Sequence, residues 1–289
     1  MDLLQQTRNL CNLYEIKPAR SKGQNFLIKE EIYDEIIANA DLKPDDIVLE
    51  VGPGLGFLTA KLASKVKQVI AVELDDKLAE ILHIGLIAQG VKNVEVINKN
   101  ILEFSISQFL NDHKILFLND KQNLKFKIVA NLPFNITSIF LRKFLEVEIK
   151  PELVVLMLQK EVAERVVAKP PKMSILAVSV QFYAQPEIIK IVPADNFWPK
   201  PAVDSAIIKI VPNNSDSVLL GESEREKDFF RLVKIGFSSK RKMLKNNLAN
   251  GYKIEPNEVE NKLKNIGLDV KIRAENLSVN NWIKLFGEF

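Results

Sequence analysis

The sequence predicts an α/β fold: a mostly parallel, seven-stranded sheet covered by helices, followed by a small C-terminal α-helical domain. Three observations predict it. From residue 29 to residue 211, segments of helical period alternate with short apolar segments of strand length, the pattern of βαβ units that place helices on a parallel sheet. The first strand runs straight into a glycine-rich turn, Gly52-Pro53-Gly54-Leu55-Gly56, at the strand end where such sheets hold their ligands. After the polar stretch NNSDSVLLGESERE the strand pattern stops, and only helical segments follow.

Each element has its own reason. KEEIYDEIIANA (29–40) spaces its apolar residues for one helix face, DIVLEV (46–51) is a buried strand, and FLTAKLASKV (57–66) returns to the helical period. QVIAVEL (68–74) is a strand, DDKLAEILHIGLIAQ (75–89) a helix and VEVI (94–97) a strand. KFKIVAN (125–131), TSIFLRKFLE (137–146) and LVVLMLQ (153–159) give strand, helix, strand. KEVAERVVAK (160–169) and SILAVSVQFYAQ (174–185) are helical, and EIIKIV (187–192) and DSAIIKIV (204–211) supply the last two strands. Residues 106–124 fit no single period and are expected to hold a helix and a lengthened loop. FFRLVKIGF, KRKMLKNNL, EVENKLKNIGL and SVNNWIKLFGEF read as short helices with a second core. The expected boundaries are a first domain over 1–211, a linker over 212–226 and a helical domain over 227–289.

The totals suit this plan and exclude others. A chain of 289 residues accommodates one large domain and a small one, because domains typically run ~100–200 residues. The single cysteine, Cys11, excludes an internal disulfide, and two histidines, His83 and His113, are too few for a structural zinc or histidine-based metal centre. No metal and a reducing, cytoplasmic setting are expected. The longest apolar run, Leu153 to Leu158, is far short of the ~20 residues of a membrane span, and the N-terminus lacks the continuous apolar stretch of an export signal. The positive charge is concentrated: residues 219–289 carry 14 Lys and Arg against 10 Asp and Glu, whereas 1–218 carry 26 against 27. Phe229 to Ile254 holds Arg231, Lys234, Lys240, Arg241, Lys242, Lys245 and Lys253 with no acid. Such a cluster is either a phosphate-facing surface or a solvated helix face.

The turn after the first strand differs from a dinucleotide fingerprint, since Phe57 stands where the third glycine of G-x-G-x-x-G belongs. Closely spaced glycines let the backbone approach a ligand, although a turn needed only for packing has the same composition. Glu50, ending the first strand, repels a pyrophosphate and suits a cationic amino group. Glu73, seventeen residues after Gly56, ends the second strand, where a carboxylate can accept both hydroxyls of a ribose. Together these features describe a nucleoside with no pyrophosphate and an amino-acid-like tail, the shape of S-adenosylmethionine.

GQNFL (23–27), EVGPGLG (50–56), VELD (72–75), NLPF (131–134), LQKEVAERVVAKP (158–170) and FWPKPAVDSAI (197–207) occur in this order. From about residue 17 to its end the chain resembles the rRNA adenine dimethyltransferases. FSSKRKMLKNNL (237–248) is similar to the KsgA type, which modifies small-subunit rRNA, more than to the Erm type, which modifies the large subunit. The resemblance implies a class I S-adenosylmethionine-dependent methyltransferase fold and N6-dimethylation of two adjacent adenosines in a hairpin loop near the 3′ end of that RNA. It implies that residues 1–28 contribute to the site and that Asn25, Leu27, Gly52, Glu73, Asn100 and Asn131 contact the cofactor, leaving S-adenosylhomocysteine as product. Where the family usually has an Asp for the cofactor's adenine amine, this chain has Asn100, whose amide oxygen can still accept that hydrogen bond. The implied partners are small-subunit rRNA and the pre-ribosomal small subunit, met by a monomer.

In NLPF, Asn131, Leu132, Pro133 and Phe134 carry the expected chemistry. An adenine amine is a poor nucleophile because its lone pair is delocalised into the ring. The Asn131 amide oxygen and the Leu132 carbonyl, held by the turn at Pro133, can accept its hydrogens and make the nitrogen more tetrahedral. Phe134, where the family more often has Tyr, would stack on the extruded base, worth ~1–3 kcal/mol. Methyl transfer from a sulfonium then depends chiefly on alignment. Phe197 and Trp198 either flank the adenine or pack a core or lid, and Lys160 and Arg165 either meet RNA phosphate or lie on a solvated face. Arg20 and Lys22 are candidates to close over substrate, and Trp282 belongs to the small domain's core. Two other functions stay open: an Erm-like large-subunit specificity, and a mainly RNA-binding assembly factor.

Overall fold

The computed structural model describes residues 2–18, 24–112, 126–133, 136–145, 149–213 and 223–289. The chain opens with helix α1 (Leu3–Leu13) and the two-residue strand β1 (Phe26–Leu27), neither announced by the sequence period. Then α2 (Glu30–Asn39), β2 (Ile47–Val51), α3 (Phe57–Ala63), β3 (Gln68–Glu73), α4 (Asp76–Ala88) and β4 (Val94–Asn98) follow the expected alternation. Helix α5 (Ile106–Asp112) begins the ambiguous stretch 106–124; the expected loop in its remainder, from 113, lies outside the described residues. Next come β5 (Phe126–Asn131), α6 (Thr137–Leu145), β6 (Leu153–Gln159), α7 (Lys160–Val166), α8 (Ile175–Tyr183), β7 (Ala184–Val192), the short β8 (Phe197–Trp198) and β9 (Ser205–Pro212). The C-terminal helices are α9 (Ser223–Gly236), α10 (Leu244–Tyr252), α11 (Pro256–Asn265) and α12 (Val279–Phe286).

Seven strands form one sheet in the order β4-β3-β2-β5-β6-β9-β7. The first five run parallel, and β9 is antiparallel to β6. Strands β2 and β5 are buried at every position up to their C-terminal tips, which is why they read as mainly apolar runs, interrupted by Glu50 in β2 and Lys127 in β5. The chain reverses its direction of travel across the sheet between β2 and β5, and a doubly wound sheet has its ligand crevice at that switch point. Register sets what meets there. Val51 lies opposite Val72 and Ala130, Glu73 opposite Asn98, and Asn131 opposite Met157. Gly52, Glu73 and Asn131 thus emerge at one level on one edge.

The opposite edge is tied by charge. Lys127, near the start of β5, is 2% exposed and forms an ion pair of 2.9 Å with Asp46, 7% exposed, immediately before β2. Lys127 Nζ also donates to the Asp41 carbonyl, and the Lys43 amide donates to Asp46 at 2.7 Å.

The chain divides into two compact units, Met1–Ala163 with Glu187–Pro212, and Glu164–Pro186 with Asn213–Phe289. The sequence boundary at 211 had placed all of 164–186 in the first domain, whereas here this segment packs with the C-terminal helices. The cause is aromatic: Phe182 stacks on Phe229 at 4.7 Å and Tyr183 on Phe230 at 5.8 Å. In the same unit Trp282 is fully buried, and a Cβ on Gly236 would lie 2.3 Å from its ring, so α9 must end there in glycine. Among the described residues no helix is long and apolar enough to cross a membrane.

Candidate active site

A cleft of about 230 Å3 opens at the switch point. Of the residues singled out from sequence, Asn25, Leu27, Gly52, Glu73, Asn100, Asn131, Leu132 and Pro133 all line it. Phe134, Arg20 and Lys22 lie outside the described residues. The cleft belongs wholly to the first unit.

The glycine turn is shaped by contacts that a side chain would break. Gly56 has φ +84°, and a Cβ there would lie 2.4 Å from Leu82 Cδ1. Gly52 has φ +65°, and its missing Cβ faces Pro133 Cδ at 3.6 Å and the Asn131 carbonyl at 3.8 Å. The end of β2 therefore passes directly beside the NLPF segment. The turn is tied to the next strand as well: the Gly52 amide donates to the Val72 carbonyl at 2.9 Å, and the Gly54 amide to Glu73 Oε2 at 3.1 Å.

Glu73 is 7% exposed, and its Oε1 accepts from the Asp75 amide at 3.0 Å. Burial raises its pKa, and the backbone hydrogen bonds from Asp75 and Gly54 oppose that rise. Each carboxylate oxygen has one lone pair directed at backbone and another left for a ligand hydroxyl. Glu50 is more deeply enclosed at 1% exposure. Burial pushes its carboxyl up to about 8, the neighbouring Thr59 hydroxyl opposing this and the charge of Glu73 adding to it. The hydroxyl is close without reaching hydrogen-bond geometry: Glu50 Oε2 and Thr59 Oγ1 are both buried without a partner among the described residues. A buried acid left so is a site for a donor or cation brought by a ligand.

At the other wall, β4 leads into a tight turn. Asn100 Oδ1 accepts from the Leu102 amide at 3.0 Å, and its Nδ2 donates to Glu103 Oε1 at 3.2 Å. The amide oxygen expected to meet an adenine amine is thus already engaged, with one lone pair left. Leu132 is anchored by its amide to the Met157 carbonyl at 3.0 Å. Among the described residues its own carbonyl and the Asn131 side chain accept no hydrogen bond, and both residues line the cleft beside the glycine turn.

Strand β1 forms the roof. Leu27 pairs with Phe197 and Phe26 with Trp198, and the Tyr33 hydroxyl donates to the Leu27 carbonyl at 3.1 Å. Phe197 is buried and lines the cleft. Trp198 packs with Cys11, Phe26 and Leu78, with the Arg8 guanidinium 5.8 Å from its ring. Cleft residues missed from sequence include Leu55, Leu74, Lys99, Ile101 and Ile136. Most sit next to a motif residue, which was the available signal; their apolar or basic types alone announce nothing.

The chain as a whole matches a known family. The family model for ribosomal RNA adenine dimethylase matches residues 17–289. "Ribosomal RNA small subunit methyltransferase A" of Dehalococcoides mccartyi is 42% identical over 99% of this chain and 94% of its own length. The protein of the same name from Ligilactobacillus salivarius is 39% identical over 97% and 93%. Among solved structures, a dimethyladenosine transferase from Plasmodium falciparum superposes with a TM-score of 0.74 at 26% identity, covering 90% of this chain and 95% of that one. The 23S rRNA methyltransferase ErmE gives 0.71 at 27%, covering 91% and 99%. The sheet is therefore that of the S-adenosylmethionine-dependent methyltransferases, and the chain belongs to the ribosomal RNA adenine dimethylase family.

Proposed function

We propose that the protein transfers methyl groups from S-adenosylmethionine to N6 of two adjacent adenosines in the 3′-terminal hairpin loop of small-subunit rRNA. The reading includes a role in small-subunit assembly, with a cytoplasmic monomer meeting the pre-ribosomal particle. The observation that carries the chemistry is the pair of open acceptors, Asn131 and the Leu132 carbonyl, beside a glycine turn flanked by two buried acids. The relatives 39–42% identical over nearly their full length are named as small-subunit methyltransferases, which favours that subunit.

The residues present fit the cofactor. Glu73 has lone pairs for two ribose hydroxyls, Glu50, which lines the cleft, has an unsatisfied oxygen for an ammonium, and Gly52 and Gly54 leave room for backbone approach. Asn25 and Leu27 close the cleft from the roof, Asn100 stands at its adenine end, and Asn131 borders both cofactor and substrate. When bound, the sulfonium supplies an electrophilic methyl and leaves as the neutral thioether of S-adenosylhomocysteine. The chain's part is to hold the acceptor amine in line. Asn131 Oδ1 and the Leu132 carbonyl accept its two hydrogens and turn the lone pair toward the methyl. Pro133 fixes the turn, and the ring of Phe134 is assigned to stacking on the base.

The test compares wild type with Asn131→Ala on undermethylated small subunits. The variant should bind S-adenosylmethionine within a few-fold of wild type, because its cofactor contact is one of several, yet lose at least ~100-fold in kcat, in the range for one transition-state hydrogen-bonding group. Normal methylation by the variant sinks the mechanism. Primer-extension stops confined to large-subunit rRNA sink the choice of substrate.

A further inference from the structure

We infer that Lys143, on α6, is a positioning residue for the cofactor: it fixes the turn that presents Asn100 and Ile101 to the cleft. The inference rests on the proposed cofactor site and adds a residue to it.

Lys143 Nζ donates to the carbonyls of Leu102 at 2.7 Å, Phe104 at 2.8 Å and Ile101 at 3.3 Å. Among the described residues it has no carboxylate partner within ion-pair distance. An ammonium has three N–H donors, and here all three are spent on one stretch of backbone. That stretch is wound from its other end by Asn100, whose carbonyl accepts from the Glu103 and Phe104 amides at 2.9 and 3.1 Å, while its side chain accepts from the Leu102 amide. Asn100 thus closes the turn's donors and Lys143 closes its acceptors. The turn's other cleft residue, Ile101, is 5% exposed and lines the cleft beside Asn100.

The placement of Lys143 in the chain matters as much as its bonds. Helix α6 begins at Thr137, directly after Ile136, which lines the cleft beyond Pro133. Its lysine therefore joins the wall that follows β4 to the element that follows the methyl-acceptor segment. Removing the ammonium leaves the Leu102 and Phe104 carbonyls without their donor and the Ile101 carbonyl with only the long contact from the Phe104 amide at 3.3 Å. The turn must then open toward water to satisfy them, withdrawing Asn100 and Ile101 from the cleft while β5 and its Asn131 stay in the sheet.

The experiment measures affinity for S-adenosylhomocysteine and for 5′-methylthioadenosine by calorimetry, alongside kinetics on undermethylated small subunits, for wild type, Lys143→Met and Lys143→Arg. Lys143→Met is expected to weaken both ligands equally, by roughly ten-fold, as for loss of a hydrogen-bonded charge. KM for S-adenosylmethionine should rise by the same factor, with kcat and KM for RNA within about two-fold, and Lys143→Arg should restore most of the loss. A folded Lys143→Met with wild-type affinity overturns the inference, as does a loss confined to kcat. If Lys143→Met does not fold, Lys143→Gln takes its place, and wild-type affinity there has the same force. Failure of the proposed site itself shows separately, as a wild type that binds neither ligand.

Discussion

Asn100 and Glu50 show how much one side chain decides in this cleft. The Asn100 oxygen accepts from the Leu102 amide and its nitrogen donates to Glu103, so under the proposed cofactor placement an adenine amine has only the one remaining lone pair of that oxygen to meet. Asn100→Asp supplies a second oxygen at that place, and Glu103, exposed, can turn away into water. Calorimetry should then show S-adenosylmethionine bound roughly five- to ten-fold more tightly than by wild type, as for one added charge-assisted hydrogen bond. Glu50 makes a pH prediction. Its folded pKa of about 8 exceeds the ordinary 4.5, so between those values the native protein holds a proton that the unfolded chain has released. Stability of the ligand-free protein therefore falls as pH rises through that window, by at most about 1.4 kcal/mol per pH unit, and levels off above it. Denaturant melts at pH 5.5 and 7.5 should show a falling slope that Glu50→Gln reduces, the raised pKa of Glu73 contributing in the same direction. Both acids were legible in sequence because they end strands beside a glycine turn. The engagement of the Asn100 oxygen was not, because an Asn that caps its own turn and one that faces a ligand have the same letter.

At the scale of elements, the charge pair at the N-terminal edge of β2 and β5 holds the two strands whose other ends carry Gly52 and Asn131. Lys127→Met keeps the buried stem and removes the charge, leaving Asp46 enclosed without its cation. The expected loss of stability is about 3–5 kcal/mol, read as a lowered denaturation midpoint, and Asp46→Asn in the same chain should recover part of it. A Lys127→Met protein of wild-type stability contradicts the pairing as described. Nothing in KFKIVAN marked its second lysine as buried, since lysines in strands usually face water. The periods of β2, β3, α4 and β6 were plain because each buries a continuous run or one helix face. Helix α1 was silent because the residues it buries are Thr7 and Cys11, which make no apolar stripe. Strands β1 and β8 have two residues each, too few for any period. The apolar sequence of α8 announced a buried helix but not its neighbours, which is why the expected boundary at 211 differs from the division into compact units.

For the whole molecule, two units divide the labour proposed for it, chemistry in the first and RNA contact in the second. The basic cluster read from sequence is not uniform in the structure. Lys245 is paired with Glu260, and Arg231 lies over the Tyr252 ring at 6.0 Å. Lys240, Arg241 and Lys242 are exposed on the turn between α9 and α10. That turn is pinned from inside by Asn247, 4% exposed, whose amide donates to the carbonyls of Gly236 at 2.6 Å and Ser239 at 3.0 Å. Three consecutive exposed cations on a fixed turn support the proposal that this surface meets a phosphate backbone. Replacing Arg241 and Lys242 with alanine should weaken RNA binding and reduce the slope of log affinity against log salt by roughly one unit per lost phosphate contact. S-adenosylhomocysteine affinity should not change, because the cofactor cleft lies in the other unit. Filter binding across a salt series measures the first and calorimetry the second. An unaltered slope returns the cluster to a solvated face, and a slope that falls together with cofactor affinity means that the two units do not act separately.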